Sequence, residues 1–323
     1  MKNPTKGQPT EQPSKQEYVW SNIIILTLLH AHFAYFAIPW SFTLGECCWA
    51  LFYGFGLGGF GVTAGVHRLW SHRSYKASAP MRVILACFFL ASGMNSVVAW
   101  VRDHRVHHKF TETDADPHNA KRGFFFAHVG WLFMRKHPEV LRQGAKIDMS
   151  DVLEDPVVQW SERNYWLLKF IFAFAVPILI PVYFFNWTWA RAFTVNNGRL
   201  VVGFNNTWLV NSAAHIFGSR PYDKRINPSE NALVSLLAVG EGWHNYHHTF
   251  PWDYKAAEHP YFINLTTLFI DCCSLLGMVS DRKSTKPEMI KSVAARHGDG
   301  SHAHEVPYEN YAQNQTEIRE CGY

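Results

Sequence analysis

The sequence predicts an all-α membrane protein with four transmembrane helices in two hairpins and a cytosolic helical cap that holds a centre of two metal ions. Three observations support this fold class: long apolar segments, histidines grouped at metal-ligand spacings, and an uneven distribution of lysine and arginine. The composition agrees, because 48% of the 323 residues are hydrophobic and only 17% are charged. Such values are typical of a chain that combines membrane spans with a sizeable polar part.

The chain starts with a polar segment, residues 1–17, which is rich in Lys, Gln and Pro and lacks the features of a secretory signal. We expect it to be disordered. Four apolar segments follow, each long enough to cross about 30 Å of hydrocarbon. These predicted spans cover about residues 21–40, 43–66, 166–185 and 189–214.

Three histidine clusters contain the candidate metal ligands. In the second and third clusters, a His-x-x-His-His spacing puts three imidazoles within about 100° of arc on one helical face. In the first cluster, His67 and His72 are five residues apart and diverge by about 140° on a straight helix. Either the helix frays there, or the two residues serve different metals. Neutral imidazole is the commonest side-chain metal ligand, and nine are enough for two ions. The nine candidates are His67, His72, His104, His107, His108, His215, His244, His247 and His248.

The histidines also limit the number of membrane spans. Residues 81–101 are apolar enough to be a fifth span. A crossing there would separate the first cluster from the second, and one metal centre could not then collect both. We therefore expect this segment to be a buried or interfacial helix. Lysine and arginine crowd residues 67–163 and 220–319, whereas the hairpin turns near Pro39 and Asn186 are nearly free of them. The positive-inside rule then places the clusters, and both termini, on the cytosolic side.

The remaining features exclude some classes of protein. A formal charge of +4 without a basic run argues against nucleic acid as a partner. The six cysteines show neither a C-x-x-C motif nor framework spacing, so they are expected to be reduced. Residues 281–323 are polar and lack periodicity, which predicts a disordered or loosely docked tail.

At this point the sequence resembles the membrane acyl-CoA desaturases, in particular the stearoyl-CoA Δ9 desaturases of animals, insect-type enzymes included. The resemblance rests on GVHRLWSH at residues 65–72, WVRDHRVHHK at 100–109 and GEGWHNYHHTFP at 240–251. It implies a membrane desaturase domain over residues 18–280.

The resemblance implies an enzyme of the endoplasmic reticulum membrane that removes two hydrogens from palmitoyl- or stearoyl-CoA, giving a cis monounsaturated product, by default Δ9. It implies two Fe²⁺ ions as cofactor, O₂ as oxidant, and electrons from NADH through cytochrome b5 reductase and cytochrome b5. The nine histidines match the family's ligands and catalytic residues, and Asn211 would contribute through a bound water.

The resemblance also implies substrate contacts. Family positions that bind the coenzyme A head group match Arg102, Asp103, Arg135 and Lys136. Trp208 matches a position near the thioester, and Trp100 is expected where the acyl tunnel bends.

Two expectations come from chemical reasoning about single residues. Ligating histidines need a carboxylate or carbonyl partner on their other ring nitrogen, and Asp114, Asp116 and Glu241 are candidates. We also hypothesise that Phe55, on the second span, shortens the tunnel and favours shorter acyl chains.

Three alternatives stay open. A membrane fatty-acid hydroxylase shares the histidine scaffold and differs only in the outcome of the reaction. A divalent-metal transporter would place polar ligands inside the spans, where only His30, His32 and Glu46 occur. A desaturase-like lipid sensor without activity would usually have lost a ligand, and none of the nine is missing.

Overall fold

The computed structural model describes residues 17–37 and 41–302, and within them the chain is mostly helical. The helices are α1 (Trp20–Ala37), α2 (Leu44–Ser71), α3 (Ala79–Ala91), α4 (Val97–Phe110), α5 (Phe124–His128), α6 (Pro138–Gly144), α7 (Ser150–Leu153), α8 (Pro156–Arg163), α9 (Tyr165–Phe184), α10 (Trp189–Asn211), α11 (Ala213–Ile216), α12 (Ala232–Leu237), α13 (His244–Thr249), α14 (Leu265–Leu275) and α15 (Pro287–His297). Short 3₁₀ turns occur at Ala120–Arg122, Gly130–Phe133 and Tyr261–Ile263. Two short strands, β1 (Lys76–Ala77) and β2 (Val279–Ser280), pair antiparallel with Lys76 opposite Ser280.

Two of the helices in the described ranges are long and apolar enough to cross a membrane. They are α2, with 28 residues, and α9, with 20. The helix α10 has 23 residues, about 34 Å, but it carries buried polar side chains such as Asn196, Asn197 and Arg199. The helix α1 is apolar and packs along α10. A mostly helical protein with two helices apolar enough for membrane spans is therefore confirmed.

The apolar segment 81–101 is divided between two helices. α3 ends at Ala91, and α4 begins at Val97, where the hydroxyl of Ser96 accepts a hydrogen bond from the backbone of Ala99. With 13 residues, α3 is about 20 Å long and too short to cross a bilayer by itself. Leu85 and Ala86 are fully buried, and α3 packs against α2.

The helix α9 contains two prolines, which cannot donate the backbone hydrogen bonds of a regular helix. Pro177 leaves the carbonyl of Ala173 without its helical donor, and the guanidinium of Arg199 donates to that oxygen at 2.7 Å. Pro181 does the same to the carbonyl of Pro177, which accepts from the indole of Trp49 at 3.1 Å. Side chains of α2 and α10 thus satisfy the carbonyls that the prolines of α9 expose, as a membrane interior requires.

One apolar core holds together the helices that carry the first two histidine clusters. It joins α2, α3, α4, α8 and α14, and its fully buried members include Leu85, Val97, Val101 and Ile270. Because α2 and α4 are both packed into this core, their histidines are held at a fixed separation.

The two chain ends differ in how far they are described. Residues 1–16 lie outside the described residues, and Glu17 forms an ion pair with Arg135 at 2.7 Å. In the tail, where disorder or loose docking is expected, residues 287–297 instead form α15. Its Ile290 and Ala294 are buried in a separate apolar cluster. This part of the expectation is wrong, because α15 has an apolar stripe that the polar composition of the whole tail conceals.

Candidate metal centre

The end of α2 explains the spacing of the first histidine cluster. Residues Gly61–Ser71 wind as a π-helix, in which hydrogen bonds join residues five apart. The backbone amide of His72 accordingly donates to the carbonyl of His67 at 3.2 Å. Residues five apart therefore share a face, and the two imidazoles lie in one group. Both expectations for this pair are wrong, since the helix neither frays between them nor sends them to different metals.

The structure gathers all nine candidate ligands into two groups. Within each group, the imidazole nitrogens that could bind a metal lie within 4.8 Å of one another. The first group is His67, His72, His104, His108 and His247, and the second is His107, His215, His244 and His248.

The two His-x-x-His-His triplets are divided between the groups in opposite ways. On α4, the outer pair His104 and His108 faces the first group, while His107 faces the second. On α13, the outer pair His244 and His248 faces the second group, while His247 faces the first. Residues four apart lie on one helical face, and the third residue is turned about 60° from the first. Each helix thus lies between the two groups and contributes to both.

The distances between nitrogens fit metal coordination. The Nε2 atoms of His67 and His247 are 2.9 Å apart, and those of His72 and His104 are 2.8 Å apart. Two nitrogens bound at right angles to one metal, each at about 2.1 Å, lie about 3 Å apart. The Nε2 of His107 is buried without a hydrogen-bond partner among the described residues, which a bound cation would satisfy. The donors present therefore fit two metal ions.

Two of the predicted carboxylates orient imidazoles. The Nδ1 of His67 lies 2.9 Å from the carboxylate of Glu241, and the Nδ1 of His107 lies 2.9 Å from that of Asp116. A carboxylate at Nδ1 favours a proton there and leaves the Nε2 lone pair for the metal. Asp114, the third predicted acid, lies instead in a recess formed by Arg122, Lys136 and their neighbours.

A fourth acid escaped the sequence analysis. Glu112 lies 3.2 Å from the Nδ1 of His215 and is buried. Residues 112 and 215 are far apart in the chain, and no motif links them. Burial, together with the charge of Asp116, raises the pKa of Glu112 to about 7.

Glu241 is held by a buried arginine. Arg68 is 1% exposed and donates to Glu241 from Nε at 2.9 Å. Burial alone would raise the pKa of the Glu241 carboxyl, but the charge of Arg68 and the contact with His67 lower it to about 2. The carboxylate is therefore ionised at neutral pH and holds its imidazole in place.

Seven of the nine candidate ligand imidazoles have a pKa well below the ordinary value for histidine, which favours the neutral form that metal binding requires. Burial is the main cause, and neighbouring imidazoles add to it. The histidines whose pKa is lowered in this way are His72, His104, His108, His215, His244, His247 and His248.

Two cavities meet at this centre. The first lies between α2 and α10, with imidazoles of both groups at one end and Gly54 and Arg199 at the other. The second measures about 380 Å³ and is bordered by α1, α9 and α10. Both cavities are lined by Met94, Trp100, His104, Thr207 and Asn211. Most of the lining is apolar, which suits a long hydrocarbon chain.

The residues predicted to contact substrate lie around these cavities. Trp100 borders both and stacks on His104 with ring centroids 4.9 Å apart. Phe55 lines the cavity between α2 and α10, Trp208 lines the second cavity, and Asn211 lines both.

Of the predicted head-group residues, Asp103 lines the second cavity, whereas Arg102, Arg135 and Lys136 lie outside both cavities. Arg102, Asp103 and Lys136 line a surface groove beside α6, and Lys136 forms an ion pair with Asp103. Arg135 is mostly exposed and pairs with Glu17.

Comparison with known proteins places this arrangement in context. Residues 44–261, which include all nine histidines, match the family described as "Fatty acid desaturase". The chain is 49% identical to the acyl-CoA Delta12-desaturase of Acheta domesticus, over 93% of this chain and 85% of that protein. It is 49% identical to stearoyl-CoA desaturase 5 of Bos taurus, over 92% and 89%. It is 50% identical to the stearoyl-CoA desaturase of Homo sapiens, over 90% and 82%.

Proposed function

This chain belongs to the fatty acid desaturase family, and we infer that it is an acyl-CoA desaturase, an oxidoreductase that removes two hydrogens from a saturated fatty acyl chain. The observation that carries this function is the position of two imidazole groups at the junction of two largely apolar cavities. The relatives compared above are desaturases by name. The interpretation as a desaturase is thereby favoured over a hydroxylase and over a metal transporter.

We propose that the two histidine groups hold two Fe²⁺ ions, with Asn211 contributing through a water. An all-imidazole donor set suits iron as well as zinc, copper or nickel, and the family favours iron. The bound metals, with O₂, supply an oxidant strong enough to break an unactivated C–H bond, which side chains cannot supply. Electrons are proposed to come from NADH through cytochrome b5 reductase and cytochrome b5.

The residues of the chain itself bind the acyl group and exclude water. Trp100, stacked on His104 at the junction of the cavities, holds the reacting carbons against the metal centre and shields them from solvent. The part of the acyl chain beyond the reacting carbons extends toward Phe55 and Arg199. We propose palmitoyl- or stearoyl-CoA as substrate and a cis-Δ9 double bond as product.

Phe55 offers a direct test of tunnel length. Since its ring lines the cavity between α2 and α10, Phe55→Ala should lengthen that cavity and shift the preference toward longer acyl chains. An unchanged distribution of product chain lengths would show that the ring only packs against its neighbours.

The coenzyme A head group is proposed to lie in the groove beside α6, where Arg102 and Lys136 face its phosphates. Arg135 contributes from the exposed surface nearby, while Asp103 holds Lys136 through their ion pair. Trp208, in the second cavity, is proposed to contact the thioester.

The proposed membrane arrangement is a desaturase domain over residues 18–280 with α1, α2, α9 and α10 as its four spans in the endoplasmic reticulum membrane. The metal centre and both termini face the cytosol. A glycosylation acceptor inserted beside Asn186, in the turn between α9 and α10, should then be glycosylated, whereas one inserted beside Lys146 should not. The reverse pattern would overturn the proposed orientation.

The decisive experiment is expression in a yeast strain that lacks its own Δ9 desaturase, followed by location of the double bonds in its lipids. We expect growth without added unsaturated fatty acid and a new Δ9 monoene, and His107→Ala should abolish both. A hydroxylated product would favour the hydroxylase, and metal flux into vesicles without any monoene would favour the transporter. A His107→Ala protein with full activity would overturn the assignment of the ligands.

A further inference from the structure

Four glycines line the cavity between α2 and α10, and they differ in what surrounds them. They are Gly54, Gly58, Gly59 and Gly203. A β-carbon at Gly58 would lie 3.3 Å from the Cα of Ser92, so the glycine there allows close packing of α2 against the end of α3. A β-carbon at Gly203 would meet no heavy atom of the described residues within 4 Å. Gly203 therefore borders open cavity space.

Close packing of helices does not account for Gly203. Small residues in membrane helices usually let neighbouring helices approach, and Gly198 on the same helix is such a case, since its β-carbon would lie 2.6 Å from the ring of Phe33. Among the described residues, none approaches Gly203 in this way. A glycine inside a helix also costs about 1 kcal/mol relative to alanine. The feature that distinguishes this position is the cavity it borders.

The position of Gly203 along the cavity is defined by its neighbours on α10. Thr207 and Asn211 follow by one and two turns and line the cavity near the metal centre, and Arg199 precedes by one turn and lines its far end. At 1.5 Å per residue, Gly203 lies about 12 Å from the level of Asn211 and about 6 Å from that of Arg199. A chain that extends along the cavity from the metal centre toward Arg199 reaches this level only if it is long enough.

We propose that Gly203 is a specificity-determining residue for acyl chain length, and this inference rests on the desaturase function proposed above. The missing side chain leaves room for the methyl-terminal carbons of long-chain saturated acyl groups. A leucine at this position would project into the cavity between Thr207 and Arg199 and shorten it. Chains that extend past Gly203 would be excluded, and chains that end earlier would bind as before.

The test is a graded series, Gly203→Ala and Gly203→Leu, with Val202→Leu as matched control on the outer, exposed side of the same helix. Purified proteins are supplied with myristoyl-, palmitoyl- and stearoyl-CoA, and kcat and KM are measured for each. One methylene in an apolar pocket changes selectivity about tenfold or more. Gly203→Leu should therefore lower kcat/KM for stearoyl-CoA at least about tenfold relative to myristoyl-CoA. Gly203→Ala should change the same ratio less, and Val202→Leu should leave it unchanged.

The outcomes separate this inference from the proposed function. If the unmodified protein forms no monoene from any of the three substrates, the desaturase function fails. If it is active, and Gly203→Leu keeps the selectivity of the unmodified protein or loses activity equally on all three substrates, the role of Gly203 is overturned. Thermal unfolding shows whether Gly203→Leu is folded. If Gly203→Leu is unfolded, Gly203→Ala is the deciding variant, because its β-carbon has free space. A shift of its selectivity toward shorter chains supports the role of Gly203, and unchanged selectivity overturns it.

Discussion

At the level of single residues, the metal centre depends on which nitrogen of each imidazole carries the proton. The carboxylates of Glu241, Asp116 and Glu112 lie at the Nδ1 atoms of three histidines, one in the first group and two in the second. They leave Nε2 free as the ligand atom. Glu241 and Asp116 were predicted as such partners. Glu112 also follows the second histidine motif, but its partner is His215, which is distant in the sequence and is brought to it only by the fold.

Glu241→Gln should weaken metal retention without unfolding the protein completely. The neutral amide leaves the buried Arg68 without its carboxylate and removes the charge that fixes His67. Changes of this kind typically cost 10–100-fold in metal affinity, so we expect about tenfold or greater loss of iron on exposure to a chelator, measured by mass spectrometry. Asp223→Asn, which breaks a surface ion pair with Arg225, is the control and should retain its iron. Equal iron content in both variants would contradict the role of Glu241.

His259 is not a candidate metal ligand, and we expect it to make the stability of the fold depend on pH. Burial lowers its pKa to about 4, despite the opposing charge of Glu258. Between pH 6.5 and 4, the unfolded chain therefore binds a proton that the folded protein excludes, and stability falls as pH falls. The loss is at most about 3 kcal/mol. His259→Phe should keep the contact with Trp243 and give a shallower decline of Tm between pH 6.5 and 4. The exposed His137→Gln serves as control, and parallel curves for the two variants would refute the prediction.

At the level of helices, departures from regular α-helical hydrogen bonding help to position the candidate metal centre. The π-helical end of α2 aligns histidines five residues apart, which a regular helix would not. In α9, prolines expose carbonyls that α2 and α10 must satisfy. Neither the π-helical winding nor the donors to these carbonyls can be read from the periodicity of apolar residues.

The carbonyl of Ala173 allows a double-mutant test. Arg199→Met should lower the free energy of unfolding by about 3 kcal/mol, because the carbonyls of Ala91 and Ala173 both lose the guanidinium as a donor. Asn196 remains as a second donor to Ala173. Pro177→Ala restores a backbone N–H to α9, so the same substitution should cost about 1 kcal/mol less in that background. Denaturant unfolding in detergent measures both steps. If the free-energy losses of the two single variants simply add in the double variant, Arg199 does not compensate for Pro177.

At the level of the whole molecule, the C-terminal helix supports the third histidine cluster. Ile290 and Ala294 of α15 pack against Tyr222, Tyr246 and Phe250, and Tyr246 lies on α13 between its histidines. The segment that looked like a tail thus forms part of the wall behind the metal centre.

Ile290→Ala should therefore destabilise both the fold and the site. Removal of a buried isoleucine side chain typically costs 2–5 kcal/mol, so we expect a loss of about 3 kcal/mol, together with faster loss of iron from the folded protein. Thermal unfolding and metal analysis measure the two effects. Met289→Ala, at a residue that is 48% exposed, is the control for changes on α15. If both variants unfold at the same temperature, α15 does not stabilise the candidate metal centre.

The sequence by itself determined the helical class, the apolar helices and the nine histidines, because these follow from composition and from the short spacings within each cluster. It also determined the family, through segments that lie next to the histidines. Only the tertiary structure decided which histidines lie in one group that could hold a metal, since α4 and α13 divide their triplets in opposite ways. It alone placed Glu112 at His215 and Gly203 at open cavity space. The physical reason is that the spacing of residues within one helix sets the angles between their side chains, whereas a metal site and a tunnel are defined by distances between side chains of different helices.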